Sequence, residues 1–171
     1  SSKWPVLRTI RWVSWALVAL VVAILVLAWA QKAFLTPAEA KPYATPFELT
    51  DQNGKTVTEQ NLLGKPSAWF FGFTHCPDVC PTALAEMAQV LTELGPDADK
   101  LTVVFVSVDP ARDTPALLKD YVAYFDERIV ALTGDEQQLH QMTKARYIYY
   151  KKVGDGDSYE MDHTAGVQLV H

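Results

Sequence analysis

The chain changes character at Lys32. Between Arg11 and Lys32 no residue carries a formal charge, and Trp12 to Gln31 reads WVSWALVALVVAILVLAWAQ. Beyond it, short apolar runs alternate with polar, turn-forming segments. The first pattern predicts a membrane helix. The apolar stretch Val13 to Ala30 is 18 residues, or about 27 Å of helix at 1.5 Å per residue, enough to cross a hydrocarbon core. Trp12, Trp15 and Trp29 lie towards its ends, where amphipathic rings favour the interface. Lys3, Arg8 and Arg11 precede the run and only Lys32 closely follows, so the N-terminus is expected in the cytoplasm and the remainder exported. Two other readings compete. Ala38-Glu39-Ala40 resembles a signal-peptidase site, but the run is longer than an ordinary signal h-region and that site lies well past it. A buried core helix would rarely lack a polar face for so long. The expectation is a retained anchor over residues 1–32, with its helix at about 12–31. The first residue is Ser1 rather than Met, so that end is expected to be processed or trimmed.

Residues 33–46, with Pro37, Pro42 and Pro46, read as a linker, and 47–171 as one domain. Asn53-Gly54 between two short strand-like pieces signals a hairpin. Trp69 to Phe73 reads as a buried strand, followed by a loop and a helix from about Thr82 to Leu94, with Leu84, Met87, Ala88, Leu91 and Leu94 on one stripe. Leu101 to Val108 is a second strand. Thr114 and Pro115 mark the cap and first position of a helix to about Phe125. Ile129 to Leu132 is a short strand, and Gly134-Asp135 leads into a helix reaching about Tyr147. Tyr149–Val153 and Ser158–His163 are strand-like around Gly154-Asp155-Gly156-Asp157, and Gly166 begins one more strand. Alternating strands and helices predict an α/β fold with a central, mostly parallel sheet.

Charge and sulfur narrow the function. All 20 acidic residues but only 11 of the 15 basic ones follow Lys32, leaving that part at −9. Such a surface argues against nucleic acid and against adsorption to anionic lipid. Cys76 and Cys80 are the only cysteines, in His75-Cys76-Pro77-Asp78-Val79-Cys80-Pro81. They make a soft site that either binds Cu(I) or closes into a disulfide, the default in an exported compartment. Strand, paired-cysteine loop, helix is a thioredoxin-like layout, with three residues between the cysteines instead of two. Pro81 at the first helical position would put Cys80 near the N-cap, where the helix end favours a thiolate.

A third donor has four candidates. Alternation along the strand should turn His75 away, His140 reads as a solvated helix residue, and the terminal His171 resists interpretation. His163, in Met161-Asp162-His163-Thr164-Ala165, falls where such a layout packs against the cysteine loop. Two thiolates and an imidazole suit a near-trigonal Cu(I) site and would also accept Zn(II) with a water. From spacing alone, the plainer reading of His163 is a satisfied structural histidine.

Phe71 to Thr82, with its C-P-D-V-C core, strongly resembles the signature of the Sco/SenC family of copper metallochaperones. Val106-Ser107-Val108-Asp109-Pro110-Ala111-Arg112-Asp113-Thr114-Pro115 resembles that family's second stretch, and Asp162-His163-Thr164-Ala165 its third. The resemblance implies a thioredoxin-like domain with Cys76, Cys80 and His163 holding one copper, as Cu(I) or Cu(II), and Cys76 and Cys80 redox-active. It implies an anchored delivery protein rather than an enzyme with turnover, serving the Cu-A site of cytochrome c oxidase subunit II. Other copper chaperones and a thiol reductant are candidate partners. The implied location is the cytoplasmic membrane with a periplasmic domain, or the mitochondrial inner membrane facing the intermembrane space. Asp162 is a candidate outer contact of the metal, Asp78 a candidate contact for site or partner, and Met161 a candidate axial donor or core residue. A reductase of the oxidase's Cu-A cysteines is the alternative; a thiol peroxidase and an inert disulfide staple find less support. Family members continue with the rest of a hairpin and a C-terminal helix, so the chain is expected to be cut short and one sheet face left open.

Overall fold

The computed structural model describes residues 4–35 and 45–170. The chain divides into two units, Ser1–Ala40 and Lys41–His171. The first is a single helix, α1 (Trp4–Leu35). Its stretch Thr9–Trp29 has a mean hydropathy of 2.5 and contains no buried residue, and it is long and apolar enough to cross a membrane. Ser14, a polar residue within that stretch, donates its hydroxyl to the Ile10 carbonyl at 2.9 Å, which spares it an unmet bond in hydrocarbon. The helix runs through Leu35, taking in the first three residues of the expected linker. The rest of that linker to Ala44, and His171, lie outside the described residues.

The second unit is built on a six-stranded sheet in the order β2-β1-β5-β4-β3-β8. The strands are β1 (Glu48–Asp51), β2 (Thr56–Thr58), β3 (Ser67–Gly72), β4 (Thr102–Ser107), β5 (Val130–Thr133) and β8 (Gln168–Val170). The central β3, β4 and β5 are parallel, as the alternating pattern predicts, and β1, β2 and β8 pair antiparallel at the edges. Every residue of β3 and β4 is buried, which explains why these strands read as unbroken apolar runs. Stacking of Phe70 on Phe105, register partners on β3 and β4, anchors one face.

Three helices connect the strands: α2 (Val79–Leu94), α3 (Pro115–Ala123) and α4 (Glu136–Ala145). Thr114 caps α3 as the sequence indicates, its side chain accepting from the Leu117 N–H at 3.3 Å. The start of α2 corrects the sequence reading: the helix begins at Val79, not near Thr82, so Pro81 is its third residue. Nothing is lost, because the amides of a first turn have no partner within the helix. Two short strands, β6 (Tyr150–Val153) and β7 (Glu160–His163), pair antiparallel as a separate two-stranded hairpin.

Candidate metal centre

The site forms where the end of β3 passes into α2. Cys76 lies in the connecting loop and is half-buried; Cys80, in the first turn of α2, is fully buried. Gly72 allows this. A β-carbon there would stand 2.7 Å from the Cys80 sulfur and 3.0 Å from the Phe105 ring, so a larger residue would push the sulfur off the strand. The loop is tightened by the Cys76 N–H donating to the Phe73 carbonyl at 3.3 Å, while the Cys80 N–H donates to the Cys76 sulfur at 3.4 Å. Among the described hydrogen bonds, the first-turn N–H that meets a sulfur is that of Cys80 itself, and the sulfur is that of Cys76. Burial instead pushes the Cys80 thiol well up, with only partial relief from a backbone hydrogen bond at Phe73. Binding a metal there must displace a proton.

His163 closes the group. It is the last residue of β7, opposite Tyr150 on β6. Its Nε2 stands 3.6 Å from the Cys80 sulfur across 83 residues of sequence. Its Nδ1 lies 3.1 Å from the Thr164 carbonyl. A carbonyl only accepts, so Nδ1 donates to it and Nε2 is left as the acceptor facing the Cys80 sulfur. The ring packs edge-on against Phe73 and Phe70. Together Cys76, Cys80 and His163 place one donor atom each within 4.8 Å of the others. Bonds of about 2.3 Å to sulfur and 2.0 Å to nitrogen, meeting trigonally, put those two atoms about 3.7 Å apart. The observed Cys80–His163 separation of 3.6 Å fits that arrangement, and the thiolate–imidazole chemistry suits a soft ion.

The other candidates lie elsewhere. His75 points to Thr74, 3.1 Å from its hydroxyl, and to Asp113 at 4.0 Å. His140 is exposed on α4. Met161 is buried in the core. Asp162 is exposed opposite Lys151, and Asp78 is exposed at the cap of α2 without a side-chain cap bond. Among the described hydrogen bonds, neither carboxylate reaches a donor of the group. Asp78 borders an open groove of about 390 Å³ running between α2 and the Ala165–Val167 segment.

The carboxylates that brace the surroundings are two others. Asp113 accepts from the Thr74 N–H and hydroxyl and from Ser107, and Asp109 accepts from Tyr159 and Arg112. Both sit in the second of the three motif stretches, where residue type alone gave them no role. Aspartates in a Pro-containing loop read as solvated turn residues, and nothing local reveals that both are buried.

The profile of the SCO1/SenC family matches residues 36–171. An SCO2-like protein of Rickettsia felis is 40% identical over 127 residues, covering 72% of this chain and 62% of that protein. The chain thus spans about three-fifths of the length of the first curated relatives it matches. Bradyrhizobium japonicum ScoI, solved with copper bound, superposes with a TM-score of 0.71 at 52% identity, covering 73% of this chain and 80% of that one. BsSco, described as having a disulfide switch and as a member of the Sco family of cytochrome c oxidase assembly proteins, matches with a TM-score of 0.51. It is 28% identical over 58% of this chain and 60% of that one. The fold is thioredoxin-like. With the profile running from the end of the N-terminal helix to the last residue, and with all three motif stretches inside it, the chain belongs to the SCO1/SenC family.

Proposed function

We propose that this chain is a membrane-anchored copper carrier. Cys76, Cys80 and His163 hold one copper ion and pass it to the Cu-A site of cytochrome c oxidase subunit II. The observation that carries the reading is the convergence of one imidazole nitrogen and two sulfurs, from segments far apart in sequence, within 4.8 Å. The copper-bound relative and the oxidase-assembly role stated for BsSco support it.

Transfer requires donors that a partner's ligands can reach. Cys76 and His163 are only half-buried, while Cys80 is enclosed. An incoming thiolate would displace Cys76 or His163 first and Cys80 last, since the first two are the less buried donors. Closing Cys76 and Cys80 into a disulfide removes both sulfur donors, so loading requires a reductant. Residues 1–32 hold the domain at the membrane, with 33–46 as a tether and 47–171 as the carrier domain on the exported side. Asp78 belongs to the partner-facing rim and Asp162 to the outer surround of His163.

The test is copper transfer from the loaded full chain to a metal-free soluble domain of subunit II. Copper recovered on the subunit II domain after its separation from the wild-type chain, and much reduced with His163→Ala, is expected. Equal transfer by both proteins would reject the histidine as a ligand. A second reading, reduction of the Cu-A cysteines, draws on the half-exposed Cys76 beside the enclosed Cys80, an attacking and a resolving thiol. It predicts that His163→Ala still reduces an oxidised subunit II domain at the wild-type rate.

A further inference from the structure

The loop joining β4 to α3 carries two buried carboxylates whose partners lie on opposite halves of the donor group. Asp113 faces the cysteine half. It accepts from the Thr74 N–H at 3.0 Å, the Thr74 hydroxyl at 2.6 Å and the Ser107 hydroxyl at 2.6 Å, and Thr74 is two residues before Cys76. Asp109 faces the histidine half. It accepts from the Tyr159 hydroxyl and from Arg112 Nε. Arg112 also donates to the Tyr159 carbonyl at 3.0 Å, and its guanidinium lies 3.6 Å from the centre of the Tyr159 ring. Tyr159 leads directly into β7, which ends at His163. Ser107 links the two halves, donating to Asp113 and accepting the Asp109 N–H at 3.1 Å.

We infer that Asp109 and Asp113 are positioning residues that set the distance between the dithiol loop and His163. Each is almost fully buried, and a buried carboxylate is costly unless several donors meet it. Here the long-range donors, among the described hydrogen bonds, come from the two segments that carry the metal-binding side chains. The β6–β7 hairpin belongs to a separate two-stranded sheet, so main-sheet pairing does not fix His163, and the Asp109–Arg112–Tyr159 contact adds a directional hold to the ring packing on Phe70 and Phe73. Neither carboxylate touches a donor atom; each acts through an intermediate side chain. The inference rests on the reading that Cys76, Cys80 and His163 bind copper.

Two variants that each delete one hydroxyl test it on the full chain in detergent, with cysteines reduced. Thr74→Val loosens the cysteine half and Tyr159→Phe the histidine half. The readouts are the rate of Cys76 alkylation by iodoacetamide in metal-free protein, and the nitrogen hyperfine coupling in the electron paramagnetic resonance spectrum of the Cu(II) complex. Thr74→Val should change the alkylation rate severalfold and keep the nitrogen coupling. Tyr159→Phe should weaken the nitrogen coupling and raise the copper Kd about tenfold, with Cys76 alkylated at the wild-type rate. Asp113→Asn and Asp109→Asn should reproduce the same split more strongly. Wild-type behaviour in both hydroxyl variants, or a joint shift of both readouts in each, would overturn the inference. His163→Ala separates the two levels of argument. Unchanged copper binding in that variant removes the metal-site reading and the inference with it, whereas lost binding without the crossed pattern removes the inference alone.

Discussion

The two halves of the donor group are held by different physics. Cys76 and Cys80 hang between β3, buried along its whole length, and α2, whose Leu84, Met87 and Leu91 are buried. Each such side chain contributes about 1.5–3 kcal/mol of apolar burial, so the dithiol is tied to the most stable part of the domain. His163 ends a two-strand hairpin in which three of the four β6 residues are exposed, and its hold combines the Asp109–Arg112–Tyr159 hydrogen bonds with ring contacts to Phe70 and Phe73. Two-stranded hairpins are marginal by themselves. The contrast teaches that the sulfur pair is a fixed base and the imidazole the more weakly held arm, a division that suits the proposed carrier role.

Hydrogen exchange should show this contrast at its largest. Amides of Phe70 and Phe71 in β3 should exchange about a thousandfold or more slowly than those of Lys151 and Lys152 in β6, because core strands open only with global unfolding. Equal rates would erase the distinction between base and arm. Removing the arm comes next. His163→Ala should weaken copper binding by about 10- to 100-fold, measured by competition with a chelator, and leave thiol–disulfide exchange of the cysteine pair intact, since one of three donors is lost and the sulfurs stay.

Disturbing the base should act through the fold. Gly72→Ala places a methyl 2.7 Å from the Cys80 sulfur, and overpacking of that kind costs about 1–3 kcal/mol. A lowered Tm is expected in the metal-free protein; an unchanged Tm together with unchanged copper affinity would show that the sulfur has room to move. The smallest effect should come from Asp162→Asn. The residue is exposed and opposite Lys151, and surface changes of this type lie within about 0.5 kcal/mol, so copper affinity should shift by less than about threefold. A larger loss would give Asp162 a direct part in orienting His163.

The same contrast explains what the sequence made legible. Strands buried on both faces and helices with a single apolar stripe announce themselves through periodicity, so β3, β4, α2 and α3 were readable. Cys76 and Cys80 stood out because no other cysteine exists, and His163 because three motif stretches resemble one family. The exact start of α2 was less legible, since proline is tolerated anywhere in a first turn. Cys80, expected near the N-cap, is instead the second residue of the helix, and its burial reverses the expected effect on its thiol. The bracing carboxylates were illegible for a deeper reason. Asp109 and Asp113 are buried only because Tyr159 and Thr74, 50 and 39 residues away, arrive to meet them, and no local pattern encodes that meeting.

The central claim is a centre of two sulfurs and one nitrogen. X-ray absorption at the copper edge of the reduced, Cu(I)-loaded full chain tests it most directly. One copper per chain with two sulfur and one imidazole scatterers is the predicted result, with the imidazole signal absent in His163→Ala. A first shell of sulfur alone in the wild-type protein, unchanged by that substitution, would contradict it.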